Sequence, residues 1–475
     1  MRKADVVVIG AGPAGVLAAL RAGDLGARTE LLARGEFGGM AANDGPVPVR
    51  TLAHASRLLR DAHQLGRYGV TVGEPALDYC RLLARVREVV EDVRSHSSLR
   101  QQLVSLGVTV REQTGAARFV DAHTIATEGG LHLSAEKFII CCGGMSRRLP
   151  IPGFELTSTH SDAWSLTSVP PSMLVVGGGA TGVQVASIFH AFGTRVQLFE
   201  AGPHILATED PDVSAAAAEA FRTSGMVVRE NFGSIESFCK TPEGVQMTFS
   251  KAGKRDAVEA ALAVVAVGWV ADTASLNLPA AGVELNERKF IRVDAYLQSS
   301  APHIFAAGDV TGRLMLVPQA LEAGFVAATN AVLGPTTPLL DTVTTTGSFT
   351  QPEYAQTGLS EAKARQTHDI VTALVHFDSA TRTIIDGHTF GFCKLIADRQ
   401  TAKILGCHVI GERAVDIAEV AAITIAAGMR VDELARIPFA YPTYAGSLAR
   451  AAVSAAHQLN LKLGWQSHQV ESAYH

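Results

Sequence analysis

The chain has 475 residues, 47% of them hydrophobic and 18% charged, with a formal net charge of −5. That length calls for about three domains, and the composition is that of an α/β enzyme, not of a disordered or fibrous chain. No block of like charge marks a nucleic-acid or anionic membrane surface, no apolar run is long enough for a bilayer span, and an apolar run from Val6 follows Met1 too closely for a signal peptide, so a cytoplasmic protein is expected.

Taken in chain order, residues 5–34 read as apolar strand, glycine-rich turn, helix and second apolar strand. Here Gly10, Gly12 and Gly15 form a GxGxxG pattern. The first glycine permits the tight turn, the second lets a pyrophosphate approach the backbone, and the third allows close helix–strand packing. Helices are expected at about 50–66 and 76–104, and strands at about 108–120 and 123–140. The opening pattern then returns at 172–200 with Gly177, Gly179 and Gly182, and Glu200 ends its second strand. A carboxylate there accepts hydrogen bonds from the ribose hydroxyls of NAD and repels the extra phosphate of NADP, so NADH is the expected nucleotide. The matching acid of the first copy is missing, because the register puts Ala33 at that step with only Glu30 and Arg34 nearby.

A third strand-turn signal at 303–310 leads into an Ala-rich helix at about 318–333, and 334–340 reads as a linker. Beyond it, strands at about 370–377, 390–397 and 403–410 alternate with helices at 412–428 and 445–459, an α+β pattern. The six cysteines, at 80, 141, 142, 239, 393 and 407, form no CxxC pair and no metal-ligand spacing, so no metal is expected.

With both glycine motifs in place, the sequence resembles the pyridine nucleotide-disulfide oxidoreductase family, typified by dihydrolipoamide dehydrogenase, glutathione reductase and mercuric reductase. IICCGG at 139–144, AVGW at 266–269, AAGDV at 306–310, MLVPQA at 315–320 and GFCKLIAD at 391–398 carry the likeness in the family's order. The resemblance implies an α/β fold with an FAD-binding domain at 1–150 and 272–340, an NAD-binding domain at 151–271 and a C-terminal α+β dimerisation domain at 341–475, assembled as a homodimer. It implies FAD and NAD as cofactors. FAD would rest on Gly10, Gly12, Pro13, Ala14, Gly15, Gly39, Met40, Arg50, Ala116, Cys142, Gly143, Gly308, Asp309, Met315, Leu316, Val317 and Pro318, and NAD on Gly177, Gly179, Ala180, Thr181, Gly182, Glu200 and Gly268.

The family's redox centre, GGxCxxxxCxPxK, maps onto residues 38–50 with Ala41 and Pro46 at the two cysteine positions and Arg50 at the lysine. The family's C-terminal His and Glu map onto Tyr441 and Gly446, and the acid of its second glycine motif onto Gln184. Dithiol chemistry at those positions is excluded by atom type. The expectation is therefore an NADH-dependent flavoprotein that reduces a non-thiol small molecule, quinone-like or a conjugated carbonyl compound, with Arg50, Tyr441 and Tyr444 as the acting side chains. Two other readings stay open at this point: a non-catalytic descendant that keeps the nucleotide sites, and a reductase fed by an external low-molecular-weight thiol or disulfide.

Overall fold

The computed structural model describes residues 2–96, 98–341 and 343–463. Contacts gather the chain into two compact units, one from residues 1–150, 158–169 and 267–340, the other from 151–157, 170–266 and 341–475.

The first unit is organised by the strand Arg2–Ile9, which pairs in parallel with Thr29–Leu32 on one side and His132–Ile140 on the other. Val6, Val7, Val8 and Ile9 are all buried, as expected for a central parallel strand covered on both faces. Thr109–Arg111 extends one edge in parallel, Thr124–Thr127 and Ala117–Asp121 extend the other antiparallel, and Ile304–Ala306 also pairs with His132–Ile140. The helices Pro13–Asp24 and Val317–Leu333 pack together through small residues; a Cβ on Gly324 would lie 2.1 Å from the Ala14 carbonyl oxygen. A short pair, Gly144–Ser146 with Trp269–Ala271, completes this unit.

In the second unit, Ser172–Val176, Arg195–Glu200, Val227–Glu230 and Leu262–Val265 form a parallel sheet, accompanied by three antiparallel strands between Ser234 and Ala260. Its C-terminal portion is a five-stranded antiparallel sheet in the order Thr345–Ser348, Tyr354–Gly358, Ile404–Gly411, Gly391–Asp398, Ile370–His376, backed by Ala414–Ala426 and Gly446–Gln458. Lys394, 3% exposed, joins the two portions: its ammonium lies 2.9 Å from Asp210 and 2.6 Å from both Asp212 and Glu361. No helix among the described residues is long and apolar enough to cross a membrane.

Candidate functional site

The two glycine turns are the same structure. Gly10 and Gly177 take φ of +109° and +107°, a region open at little cost only to glycine. Their amides donate to the Leu32 and Phe199 carbonyls, each at 2.8 Å. A Cβ on Gly15 would fall 1.7 Å from the Gly10 oxygen, and one on Gly182 1.8 Å from the Gly177 oxygen, so the close strand–helix approach requires glycine. Neither helix has a side-chain cap. A Cβ on Gly12 would meet nothing nearer than 3.9 Å, and one on Gly179 nothing within 4 Å. Each helix N-terminus is therefore left without a side-chain cap and with an uncrowded N-cap glycine, the kind of end at which free amides can take an anion.

The register also makes the ends of the two second strands equivalent. Leu32 matches Phe199, so the next residues, Ala33 and Glu200, match as well. The Glu200 carboxylate accepts from Gly178 N at 2.7 Å and Gly202 N at 2.6 Å, which fixes it beside the second turn. Ala33 offers nothing comparable. Its neighbours are committed elsewhere: Glu30 is paired with Arg111, and Arg34 lies 3.3 Å from Asp272.

Within the first unit, the expected flavin residues converge. A Cβ on Gly10 would lie 2.2 Å from the Cys141 oxygen, one on Gly39 2.6 Å from Gly12 Cα, and one on Gly308 3.0 Å from Ala14 Cβ. Cys142–Gly143, Gly39–Met40 and Gly308–Asp309 are thus gathered around the first turn. Burial pushes the Asp309 carboxyl up, and no side-chain hydrogen bond reaches it among the described residues, leaving its oxygens for hydroxyl donors of a ligand. Leu316 precedes the uncapped helix Val317–Leu333, with Pro318 in its first turn and Met315 packed on the sheet core. Gly268 takes φ of +116° and accepts from Arg147 N. At Ala116 both main-chain groups are engaged by Glu128, whose carboxylate accepts from Ala116 N at 2.8 Å.

Residues 38–50 form a short helix Gly39–Asn43, a turn at Asp44–Gly45, and a helix Pro46–Gln64. The longer helix starts at Pro46, ahead of the expected 50, because Pro needs no amide partner and has its φ preset in a first turn. Ala41 therefore sits in one helix and Pro46 starts the next, with Arg50 one turn further on. All six cysteines are free. Burial pushes the Cys141 thiol up to about 12 and the Cys142 thiol higher, so neither is a thiolate near neutral pH.

In the second unit, Ala180 and Thr181 form the open first turn of the helix after Gly179. Gln184 accepts from the Ser348 hydroxyl at 3.3 Å. Tyr441 is 82% exposed, with its hydroxyl 2.9 Å from Thr381. Tyr444 is different: it donates to Asp386 at 3.0 Å, and burial together with that carboxylate pushes its phenol well above the usual range. Among the described residues no cluster of His, Cys, Asp or Glu has metal-binding geometry.

One group had no signature in the sequence. The imidazole of His160, 5% exposed, lies between the hydroxyls of Ser146 and Ser161, and Ser161 is bonded to Asp44. The Ser161 and Asp44 partners are 117 positions apart, and no spacing rule connects them.

The profile of the pyridine nucleotide-disulphide oxidoreductase family matches residues 4–324, and that of the family's dimerisation domain residues 344–452. The mercuric reductase of Lysinibacillus sphaericus is 30% identical over 462 residues, spanning 95% of this chain and 82% of that protein. The dihydrolipoyl dehydrogenase of Thermus scotoductus is 30% identical over 474 residues, spanning 97% of this chain and 100% of the other. Among solved structures, the HOCl-induced flavoprotein disulfide reductase RclA from Escherichia coli aligns with a TM-score of 0.83 at 26% identity, covering 94% of this chain and 99% of that one. The chain belongs to the pyridine nucleotide-disulphide oxidoreductase family, flavoprotein oxidoreductases that use FAD with a pyridine nucleotide, and it carries that family's dimerisation domain.

Proposed function

We propose that this protein is a homodimeric, FAD-dependent oxidoreductase that takes reducing equivalents from NADH and delivers them to a non-thiol small molecule, quinone-like or a conjugated carbonyl compound. The observation that carries the reading is the segment 38–50, where Ala41 and Pro46 stand at the positions of the family's two cysteines. The only cysteines gathered at the first turn, Cys141 and Cys142, are held as thiols by burial. Substrates of the kind named for the relatives, disulfides and mercuric ion, are handled by thiolates.

In this reading the Gly10–Gly15 turn holds the FAD pyrophosphate and Asp309 a hydroxyl of its sugar-alcohol chain. The Gly177–Gly182 turn holds the NADH pyrophosphate, and Glu200 both ribose hydroxyls, which disfavours a phosphorylated ribose. FAD, when bound, supplies a two-electron acceptor and donor between nicotinamide and substrate. Arg50 contributes a fixed positive charge and Tyr441 an exposed phenol able to donate to a substrate oxygen. Tyr444, with its proton held by Asp386, is assigned to packing and positioning.

Anaerobic reductive titration tests this. A flavin with no partner disulfide takes up two electrons per FAD and shows no long-wavelength thiolate-to-flavin absorption, and NADH bleaches it more effectively than NADPH. Uptake of four electrons per FAD, or a thiolate charge-transfer band, would rule the reading out.

A further inference from the structure

His160 begins the helix His160–Trp164, whose start is fixed by a capping box between Thr159 and Asp162. Its Nδ1 lies 3.1 Å from Ser146 Oγ and its Nε2 3.4 Å from Ser161 Oγ, and Ser161 Oγ lies 2.5 Å from Asp44 Oδ2. These contacts set a direction for the hydrogen bonds once the Ser161 donor is placed. The single Ser161 hydroxyl proton is given to Asp44. Nε2 must then donate to Ser161, which leaves Nδ1 to accept from Ser146. Every donor points the same way, from the strand Gly144–Ser146 toward Asp44, and moving each proton one step delivers one to that carboxylate. Asp44 itself comes directly after the helix Gly39–Asn43, in the segment whose Gly39 abuts Gly12 and whose Ala41 and Pro46 replace sulfur.

We propose that Ser146, His160, Ser161 and Asp44 form a proton relay that serves the acceptor, replacing acid–base work that Tyr441 cannot perform as a histidine would; this rests on the function proposed above. The overall balance is NADH + A + H⁺ → NAD⁺ + AH₂. The C4–H bond of the dihydronicotinamide breaks with both its electrons, and the acceptor gains that hydride equivalent and becomes an anion. The anion takes one proton from protonated Asp44, which is recharged through Ser161 from His160, and His160 from solvent through Ser146.

The groups facing the imidazole are Asp44 and Asp162, the two serines, and the Trp269 ring, 4.9 Å away at 58°. Burial lowers the His160 basicity, while the two carboxylates work to raise it. An imidazolium quenches an adjacent indole, so tryptophan fluorescence, corrected with Trp269→Phe, reports His160 without any turnover. Replacing Asp44 by Asn removes an anion and keeps the acceptor oxygen. The fluorescence midpoint should then fall by at least roughly 0.5 pH unit.

The second readout is stopped-flow with NADH and menadione on wild type, Asp44→Asn and His160→Gln. NADH bleaches the flavin of all three within about twofold. Menadione reduction falls by at least roughly tenfold in both variants and loses its pH dependence. An Asp44→Asn protein with an unmoved fluorescence midpoint overturns the relay. So do variants that reduce menadione at the wild-type rate with the wild-type pH profile, and in that case the proposed function stands. Wild-type flavin that NADH does not bleach overturns both.

Discussion

Ala33 and Glu200 occupy the same step of two matching turns, and they differ by one carboxylate that accepts two hydrogen bonds in the second. A charged acceptor on a ribose hydroxyl contributes about 1.5–3 kcal/mol. Ala33→Glu should therefore tighten FAD at least about tenfold, read as Kd from flavin fluorescence on reconstitution of the apoprotein; an unchanged or weaker Kd would mean that the adenosine is held elsewhere. These two residues were legible in the sequence because each comes after a glycine motif at a fixed short distance. Ala116 was less so, since Glu128, which binds its amide, comes twelve residues later with nothing to announce the contact. Least legible was the link from His160 through Ser161 to Asp44, which exists only after the helix His160–Trp164 and the turn after Asn43 have been brought together by the fold.

At the scale of elements, periodicity and glycine placement located strands and helices to within a few residues: the strands expected at 390–397 and 403–410 are Gly391–Asp398 and Ile404–Gly411. The start of Pro46–Gln64 was missed because prolines that usually break a helix are favourable in its first turn. The strand Gly391–Asp398 also carries Lys394 into a site lined by Asp210, Asp212 and Glu361. Burial works against the charge on Lys394, but the three carboxylates outweigh it and hold the ammonium well above its usual range. Burial likewise raises the Asp210 carboxyl, and Lys394, the His408 imidazole and the Asp212 amide together more than offset that; Glu361 is lowered chiefly by its bond to Lys394. Both folded-state carboxyl values lie below the unfolded ones. Their contribution is thus present above about pH 4 and is lost as the pH falls through the folded values. Lys394→Met leaves Asp210 buried without its cation, at a cost of about 3–5 kcal/mol. In the variant, Asp210 is raised instead of lowered, so the sign inverts: going from pH 7 to pH 5 should raise the Tm of the variant relative to that of wild type, the buried histidines being common to both. Scanning calorimetry at the two pH values decides this, and a parallel response of both proteins would reject the network as an anchor.

For the molecule as a whole, sulfur chemistry is distributed in a way that composition alone does not reveal. Of six cysteines, Cys80 and Cys239 are exposed, Cys141, Cys393 and Cys407 are buried, and Cys142 lies between. Cys393 and Cys407 lie 3.9 Å apart inside the C-terminal sheet, and mutual contact and burial push the Cys407 thiol far up. A colorimetric thiol assay should find two fast-reacting groups in the native protein and six in denaturant, with or without prior reduction; two further thiols appearing only after reduction would reveal a disulfide. The same labelled sample should still be bleached by NADH. Peroxides, hypohalous acids and soft metal ions disable dithiol enzymes by striking the sulfur that turns over. Under the function proposed above they would meet only sulfur that turnover does not use, and the enzyme would keep working while thiols around it are being oxidised.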